Sequence, residues 1–311
     1  MMHRYHTIAS PRLVSVVLVI LVISGCAYQL GDLENPGRGF NLVSEGAEIE
    51  MGMEAANEIE SEIRIIRNPE IQQYITNLGQ YLVQYSRRPN LRYAFKVVDT
   101  DEINAFALPG GFIYINRGLI VEADSEAELA GVIAHEIGHV VARHGAKRMS
   151  QIIALQLGLS VFESLSDQDR RTQITALVAQ ALATGFLLKN SRDNERQADD
   201  LGTETLYRAG YDPIALARFF DKLSQQYSPS SIEVFLSTHP SPGERVGNVQ
   251  ALIATFPPRP YVTDTPQFDH IKQMLSANTL SAPQTRQKQG VPQAPRRRMR
   301  PGAVGGSYRR R

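Results

Sequence analysis

The sequence predicts an α+β fold that is mainly helical, with a small β-sheet beside one central helix. Two features of the sequence indicate this fold. Apolar residues recur every three to four positions in several long segments, which is typical of amphipathic helices. One region between these segments has the pattern of short strands around a Pro-Gly-Gly turn.

The predicted elements follow one another closely along the chain. Residues 92–98 alternate like a strand, and residues 104–115 have the pattern strand, turn, strand. Ser125 begins the central helix with the capping box Ser-Glu-Ala-Glu, which an apolar run follows. The predicted helices are 44–66, 70–85, 126–148, 151–165, 172–188, 191–209 and 213–227. This order places the sheet before the central helix.

The two ends of the chain differ in charge from its middle. Lys and Arg total 33, and Asp and Glu total 32. Residues 1–25 hold 2 of the basic residues and residues 281–311 hold 9, so the middle keeps 33 − 11 = 22 basic against 32 acidic residues. An acidic folded part argues against nucleic-acid binding. We predict a tether at 26–43, one domain at 44–256, a linker or extension at 257–280 and a disordered basic tail at 281–311.

The N-terminal sequence indicates the cellular compartment of the protein. Arg4 and Arg12 precede an apolar run at 13–23 that is too short to span a bilayer, which is typical of a secretory signal at residues 1–25. The run ends in Ile-Ser-Gly-Cys, which resembles a bacterial lipobox, and Cys26 is the single cysteine of the chain. We therefore predict a periplasmic protein, lipid-anchored at Cys26 and placed in the outer membrane. The alternative is an ordinary signal peptide with a chance cysteine.

A metal-binding motif lies in the predicted central helix. His135-Glu136-Ile137-Gly138-His139 matches the pattern H-E-x-x-H. Residues four apart lie about 40° apart around a helix, so both imidazoles project from one side. This arrangement suits two nitrogen ligands of one Zn²⁺ ion, and Glu136 lies next to that face as a general base. The sequence therefore predicts a zinc hydrolase site.

A zinc hydrolase needs a third protein ligand, and three residues are candidates. His144 lies nine residues past His135, about 180° around the same predicted helix, so it faces away. His239, in a Thr-His-Pro loop, stays a candidate. Glu195 is preferred because Asp199 follows four residues later on the same face. One carboxylate can then bind zinc while the second orients a ligating imidazole.

These motifs resemble the gluzincin endopeptidases of the HtpX and CAAX-prenyl-protease type, in their periplasmic lipoprotein branch (LoiP-like and BepA-like). The resemblance covers roughly residues 44–255, with matching segments at 104–115, 135–148, 191–202, 210–213 and 238–245. It implies a zincin-type metallopeptidase domain, mainly helical, with a small sheet beside the H-E-x-x-H helix. We find neither the helical repeats of BepA-like proteins nor HtpX-type transmembrane helices in the sequence, so the partners and integral membrane placement of those proteins are not expected.

The resemblance also implies roles for single residues. It implies one Zn²⁺ ion per chain, bound by His135, His139 and Glu195, with Glu136 as the catalytic base. Asp199 would be the family's second acidic site residue, a proton donor there, although an orienting role is physically preferable. Three roles are open for the loop residue His239: it keeps the enzyme latent by approaching the zinc, it stabilises the oxyanion, or it has no role.

The predicted function is zinc-dependent hydrolysis of peptide bonds in unfolded or misassembled envelope proteins, and its quality-control role rests on the resemblance alone. Strand 112–115 is expected to pair with an extended substrate. The tail at 281–311 is expected to be solvated, or alternatively to contact anionic lipid. The alternative function is a chaperone-like periplasmic lipoprotein with a latent or structural zinc site. Glu136 argues against that alternative, because a structural zinc ion needs no base.

Overall fold

The computed structural model describes residues 35–156, 165–183, 188, 190–229, 232–240 and 242–281. The predicted signal peptide, Cys26 and the tail beyond residue 281 lie outside these residues. In chain order the described elements are α1 (Glu45–Glu62), α2 (Pro69–Tyr85), β1 (Ala94–Val98), β2 (Ala105–Leu108), β3 (Phe112–Asn116), α3 (Arg117–Glu122), α4 (Glu126–Val141), α5 (His144–Gln156), α6 (Asp167–Ala183), α7 (Arg192–Ala209), α8 (Ala215–Gln226), α9 (Glu233–Thr238), α10 (Pro242–Ile253) and α11 (Pro266–Ser281). The predicted class, mainly helical α+β with a small sheet, is confirmed.

Side-chain caps fix where the main helices begin. Ser44, Asn68, Ser125 and Ser191 each accept a hydrogen bond from a backbone N–H in the first turn of the helix that follows. Such caps satisfy amide groups that have no partner inside the helix. At the other end of α7, Gly210 ends the helix in the left-handed conformation, with φ of 87°. Local sequence therefore sets the ends of the helices that carry the histidine motif and Glu195.

The sheet has three strands in the order β1-β3-β2. Strand β3 pairs in parallel with β1 and antiparallel with β2, so both of its edges are occupied. The expectation that strand 112–115 pairs with a substrate is therefore wrong, because this strand is β3 and has no free edge. Among the described strands, β2 lies at the edge of the sheet that faces the histidine motif, and its Ala105 carbonyl contacts His239.

Helix α4 is buried along its whole length and packs closely against α7. Two glycines permit this close approach. A Cβ atom added to Gly138 would lie 2.7 Å from the carbonyl oxygen of Ala198, and one added to Gly202 would lie 3.0 Å from the backbone nitrogen of His135. The two backbones are therefore almost in contact, which brings side chains of α7 directly against the histidine motif.

The single helix predicted for residues 126–148 is wrong, because the chain forms α4 and α5 with a turn between them. Arg143 lies in this turn with φ of 57°, a left-handed conformation that few non-glycine residues adopt. Its side chain explains the turn: Nε donates to Glu48 Oε2 at 2.8 Å, and Nη2 donates to the carbonyl oxygen of Val43 at 2.7 Å. The break ends α4 at Val141, and α5 begins at His144.

The segments on either side of the predicted domain pack against it. In the described part of the predicted tether 26–43, the Leu42 N–H donates to Ser150 Oγ at 2.8 Å. The predicted extension 257–280 contains α11, which joins the main hydrophobic core. Its fully buried apolar side chains are Phe268, Ile271 and Leu275. Both segments therefore stabilise the surroundings of α4 and α5.

Candidate metal centre

Helices α4 and α7 bring three of the predicted site residues together. His135 and His139 lie one turn apart on α4, and their Nε2 atoms are 3.0 Å apart. Glu195, in the first turn of α7, places Oε2 3.4 Å from His135 Nε2 and Oε1 3.3 Å from His139 Nε2. All three side chains are buried. The residues predicted as zinc ligands thus meet at one point.

This group has the chemistry of a cation site. Two imidazole nitrogens at 3.0 Å, with carboxylate oxygens beside them, need a shared proton or a metal cation to lie so close together. Glu195 Oε1 is buried and accepts no hydrogen bond from the described residues. Donor atoms around a tetrahedral zinc ion lie about 3.3 Å apart, because its bonds to nitrogen and oxygen are about 2.0–2.1 Å long. The separations of 3.0–3.4 Å in this group fit such an ion.

Glu136 and His239 complete the group. Glu136 Oε1 is buried without a hydrogen bond from the described residues and lies 3.4 Å from His239 Nε2. His239 follows α9, and its Nδ1 lies 3.2 Å from Glu195 Oε2 and 3.3 Å from His135 Nε2. Ligand atoms of Glu136, His239 and the two α4 histidines all lie within 4.8 Å of one another. His239 therefore occupies the space in front of the histidine motif.

Asp199 and Arg245 form a buried pair behind His135. Asp199 Oδ1 lies 3.0 Å from His135 Nδ1. Arg245 donates from Nε and Nη2 to the two oxygens of Asp199, both at 2.6 Å, and its Nη1 lies 2.9 Å from Glu195 Oε2. Its guanidinium stacks 4.0 Å from the ring centroid of Phe220. Arg245 thus joins both carboxylates of α7.

Burial and charge have opposite effects on the pKa values in this group. Burial lowers the pKa of His135, but its hydrogen bonds to Asp199 and Glu195 outweigh burial and raise the pKa to about 9. Burial raises the pKa of both carboxyls, yet His239 and Arg245 hold the pKa of Glu195 well below its usual range, and Arg245 lowers that of Asp199. Both carboxylates stay ionised at neutral pH and favour a bound cation.

A cleft opens beside the group and runs along β2. The side chains that line it include Phe106, Leu108, Glu136, His139, Arg148, Asn190 and His239. Arg148 Nη2 donates to Asn190 Oδ1 at 2.6 Å, and Asn190 Nδ2 lies 3.4 Å from His139 Nε2. Sequence reasoning missed Arg148, Asn190 and Arg245, because isolated polar residues far apart in the chain have no characteristic spacing. Arg148 and Arg245 do fall within segments 135–148 and 238–245, which the family resemblance includes.

His144 contacts the motif from a direction that the sequence did not predict. Because the helix breaks at Arg143, His144 does not face away: its Nδ1 lies 2.7 Å from His139 Nδ1. This contact uses the nitrogen of His139 that points away from Glu195. His144 therefore lies outside the group of converging donor atoms, although it touches one of them.

A mainly helical fold with H-E-x-x-H on a buried helix, a glutamate from a second helix and a small sheet alongside defines a zincin-type metallopeptidase. The chain belongs to peptidase family M48, whose family model matches residues 68–253. The family resemblance seen in the motifs is confirmed.

Relatives from bacteria and from a eukaryote match large parts of the chain. The "Beta-barrel assembly-enhancing protease" of Escherichia coli (strain K12) is 32% identical over 219 residues, which are 68% of this chain and 44% of that protein. A "Putative beta-barrel assembly-enhancing protease" of Vibrio cholerae is 33% identical over 202 residues, 62% of this chain and 41% of that protein. The "Mitochondrial metalloendopeptidase OMA1" of Schizosaccharomyces pombe is 29% identical over 238 residues, 74% of this chain and 69% of that protein. The chain thus spans less than half the length of the two bacterial relatives.

Proposed function

We propose that the protein is a zinc-dependent metalloendopeptidase with one zinc ion per chain. His135, His139 and Glu195 would bind the ion, because their donor atoms converge in a buried, negatively charged group. The single observation that carries the proposal is the convergence of these three side chains beside Glu136 Oε1, a buried carboxylate oxygen that accepts no hydrogen bond from the described residues. A structural zinc site, the alternative expected from sequence, gives no reason for such an oxygen. Family membership supports the enzyme as well.

The chain's own residues supply the remaining chemistry. A bound zinc ion contributes Lewis acidity, which activates water and polarises a carbonyl group. Glu136 accepts a proton from the attacking water and delivers it to the leaving nitrogen, so that the C–O bond forms and the C–N bond breaks. Asp199 holds His135 through Nδ1 at 3.0 Å, which supports an orienting role rather than proton donation. Among the described strands none pairs with the outer edge of β2, and this edge, whose Ala105 carbonyl contacts His239, would offer backbone groups to an extended substrate.

His239 is proposed to close the site in the resting enzyme. Its ring contacts Glu136, Glu195 and His135 at 3.2–3.4 Å and so fills the space in front of the motif. A substrate carbonyl can reach that space only after the ring leaves. Once displaced, the imidazole becomes available as a donor to the oxyanion, which unites two of the roles expected from sequence.

The proposed substrates are unfolded or misassembled proteins of the cell envelope. Strand addition along β2 would read backbone rather than particular side chains, which favours unfolded segments. The bacterial relatives are named as β-barrel assembly-enhancing proteases, which supports a role in envelope quality control. Export to the periplasm, the lipid anchor at Cys26 in the outer membrane and lipid contact by residues 281–311 stay predictions. Among the described residues, no helix is both long enough and apolar enough to cross a bilayer.

Glu136→Gln tests the enzymatic proposal. The change keeps the shape of the side chain and removes the base, so cleavage of unfolded casein should fall by about 10²- to 10⁴-fold. Zinc content per chain, measured by elemental analysis, should match that of the wild type, because Glu136 is not a proposed ligand. Glu58→Gln, at an exposed position of α1, is the matched control and should keep full activity. Undiminished cleavage by Glu136→Gln would refute the proposed mechanism.

His239→Ala tests the closed resting state. If the ring blocks the site, its removal should increase the rate at which a small chelator takes zinc from the folded protein, a readout that does not depend on an oxyanion donor. His239→Phe fills the space but neither binds metal nor donates a hydrogen bond, so its zinc-release rate should stay near that of the wild type, whereas casein cleavage should fall in both variants because the oxyanion donor is lost. A zinc-release rate in His239→Ala equal to that of the wild type would contradict the closed state.

A further inference from the structure

We propose that His144 and Gln197 are positioning residues that fix which ring nitrogen of His139 faces the metal. This inference rests on the proposed zinc site. It concerns the outer side of His139, where neither the H-E-x-x-H pattern nor Glu195 acts. The relevant contacts are buried and lie between α4, α5 and α7.

His139, His144 and Gln197 are connected by two successive hydrogen-bond contacts. His139 Nδ1 lies 2.7 Å from His144 Nδ1, and His144 Nε2 lies 3.0 Å from Gln197 Oε1. Gln197 Nε2 lies 3.5 Å from the carbonyl oxygen of Pro36, so the amide nitrogen faces an acceptor and the amide oxygen faces His144. Gln197 is on α7, two residues after Glu195, so one helix contacts both sides of His139.

Counting the protons on these side chains shows which atom donates and which accepts in each of the two contacts. The amide oxygen of Gln197 can only accept a hydrogen bond, so His144 Nε2 carries a proton and donates it. A neutral imidazole has one N–H, which leaves His144 Nδ1 as an acceptor. His139 Nδ1 must therefore carry the proton in the 2.7 Å contact, and His139 Nε2 presents its lone pair to the metal site. Gln197 thus sets the tautomer of His139 through His144.

The two proposed histidine ligands consequently have different outer partners. Asp199, an ionised carboxylate, contacts Nδ1 of His135, whereas the neutral ring of His144 contacts Nδ1 of His139. Both arrangements hold the ring and assign its tautomer, and outer partners of this kind typically change metal affinity about 10- to 100-fold. The break at Arg143 is what makes the second contact geometrically accessible to a residue only five positions further along.

A matched pair of variants isolates the acceptor at position 144. In His144→Asn the amide oxygen lies where Nδ1 was, whereas His144→Leu has a similar shape without an acceptor. We expect His144→Leu to lower zinc affinity about 10- to 100-fold in competition with a chromophoric chelator, and His144→Asn to restore most of it. Gln197→Met removes the acceptor for His144 Nε2, whereas Gln197→Glu keeps an acceptor oxygen. We therefore expect Gln197→Met to lower zinc affinity more than Gln197→Glu does. Circular dichroism and thermal unfolding verify that each variant folds.

The tautomer itself is the decisive readout. Long-range ¹H–¹⁵N correlation spectra of histidine-labelled, metal-free protein should show His139 protonated at Nδ1 in the wild type and in His144→Asn. In His144→Leu they should show a mixture of both tautomers. Equal zinc affinity and equal tautomer populations in the Leu and Asn variants would overturn the proposal. Wild-type protein that binds no zinc would instead refute the proposed function, so the two failures are distinguishable.

Discussion

Helix α4 has a buried carboxylate cluster near each end, and the two clusters are built differently. Near its start, Glu126 accepts hydrogen bonds from the hydroxyl groups of Tyr74, Tyr211 and Thr265. Near its end, Glu195 and Glu136 each keep one buried oxygen that accepts no hydrogen bond from the described residues. The first cluster satisfies its acceptor with neutral donors, and the second leaves acceptors open.

This difference separates a cluster that stabilises the fold from one that is prepared for chemistry. Phenols are protonated at neutral pH, and burial, together with the charge of Glu126 and the hydrogen bonds to it, raises the pKa of Tyr74 and Tyr211 further, so both hydroxyl groups stay donors. The first cluster therefore needs no ligand to satisfy its carboxylate. At the other end, ionised carboxylates face imidazole nitrogens at 3.0–3.4 Å and are balanced by Arg245. An incompletely satisfied buried group of this kind persists when a ligand completes it.

Arg245→Met should have the largest effect on stability, because it removes the cation from the second cluster. Glu195 and Asp199 would then be buried without it, and the free energy of unfolding of the metal-free protein should fall by about 3–5 kcal/mol. Excess zinc should recover part of this loss, since free zinc at 100 times Kd stabilises the folded state by about 2.7 kcal/mol. Urea unfolding with chelator and with zinc measures both effects.

Arg208→Met is the matched control for that experiment. Arg208 lies on α7, the helix that carries Glu195 and Asp199, but it is half exposed and 3.8 Å from Glu204. Exposed ion pairs contribute about 0–1 kcal/mol, so Arg208→Met should hardly change the free energy of unfolding, with or without zinc. A loss below about 1 kcal/mol in Arg245→Met would mean that the second cluster does not depend on its cation, and the comparison of the two clusters would fail.

Glu126→Gln addresses the first cluster and should have an intermediate effect. The amide replaces one acceptor oxygen with a donor, so at least one buried hydroxyl group loses its acceptor, at a cost of about 1–3 kcal/mol. The loss should be the same with and without zinc, and the rate of casein cleavage by folded protein should not change. Glu58→Gln again serves as the exposed control, expected within about 0.5 kcal/mol of wild type. A zinc-dependent loss in Glu126→Gln would contradict the separation of the two clusters.

The two clusters also show what the sequence could predict. His135, His139 and Glu136 share one helical pattern, and the capping box at Ser125 fixes the start of that helix. Local periodicity was therefore enough to predict that these three side chains lie close together. Glu195 lies on a second helix and was preferred because Asp199 follows four residues later on the same face, a choice that the family resemblance then supported. The fold class followed from the same periodicity, because α4 and α7 obey local capping and spacing rules.

Other features depend on contacts between distant residues and could not be predicted. The break in the helix at Arg143 arises from Glu48 and Val43, about 100 residues earlier in the sequence. The position of β3 in the middle of the sheet arises from pairing with two strands at once. Arg245 reaches Asp199 only because α10 packs against α7 and α8. Such tertiary contacts leave no periodic signal in the chain.

The smallest expected effect concerns another carboxylate, Glu60, which lies on α1 and contacts side chains of β1 and β3. Burial raises its pKa, but Lys96, 2.6 Å away, and the hydroxyl group of Tyr114 together outweigh burial and lower the pKa below its ordinary value of 4.5. Since the folded-state pKa is lowered, this pair stabilises the protein above pH 4.5 and loses its contribution as the pH falls through the folded-state pKa.

Lys96→Met should therefore reduce the free energy of unfolding by at most about 1 kcal/mol at pH 7 and by less at pH 3. Salt at 1 M should remove most of the difference at pH 7, because solvent ions screen this partly exposed pair but hardly reach a buried one. The same salt series on Arg245→Met should leave its larger loss unchanged. If both variants respond equally to salt, burial is not what distinguishes the cluster at the histidine motif from an ordinary surface pair.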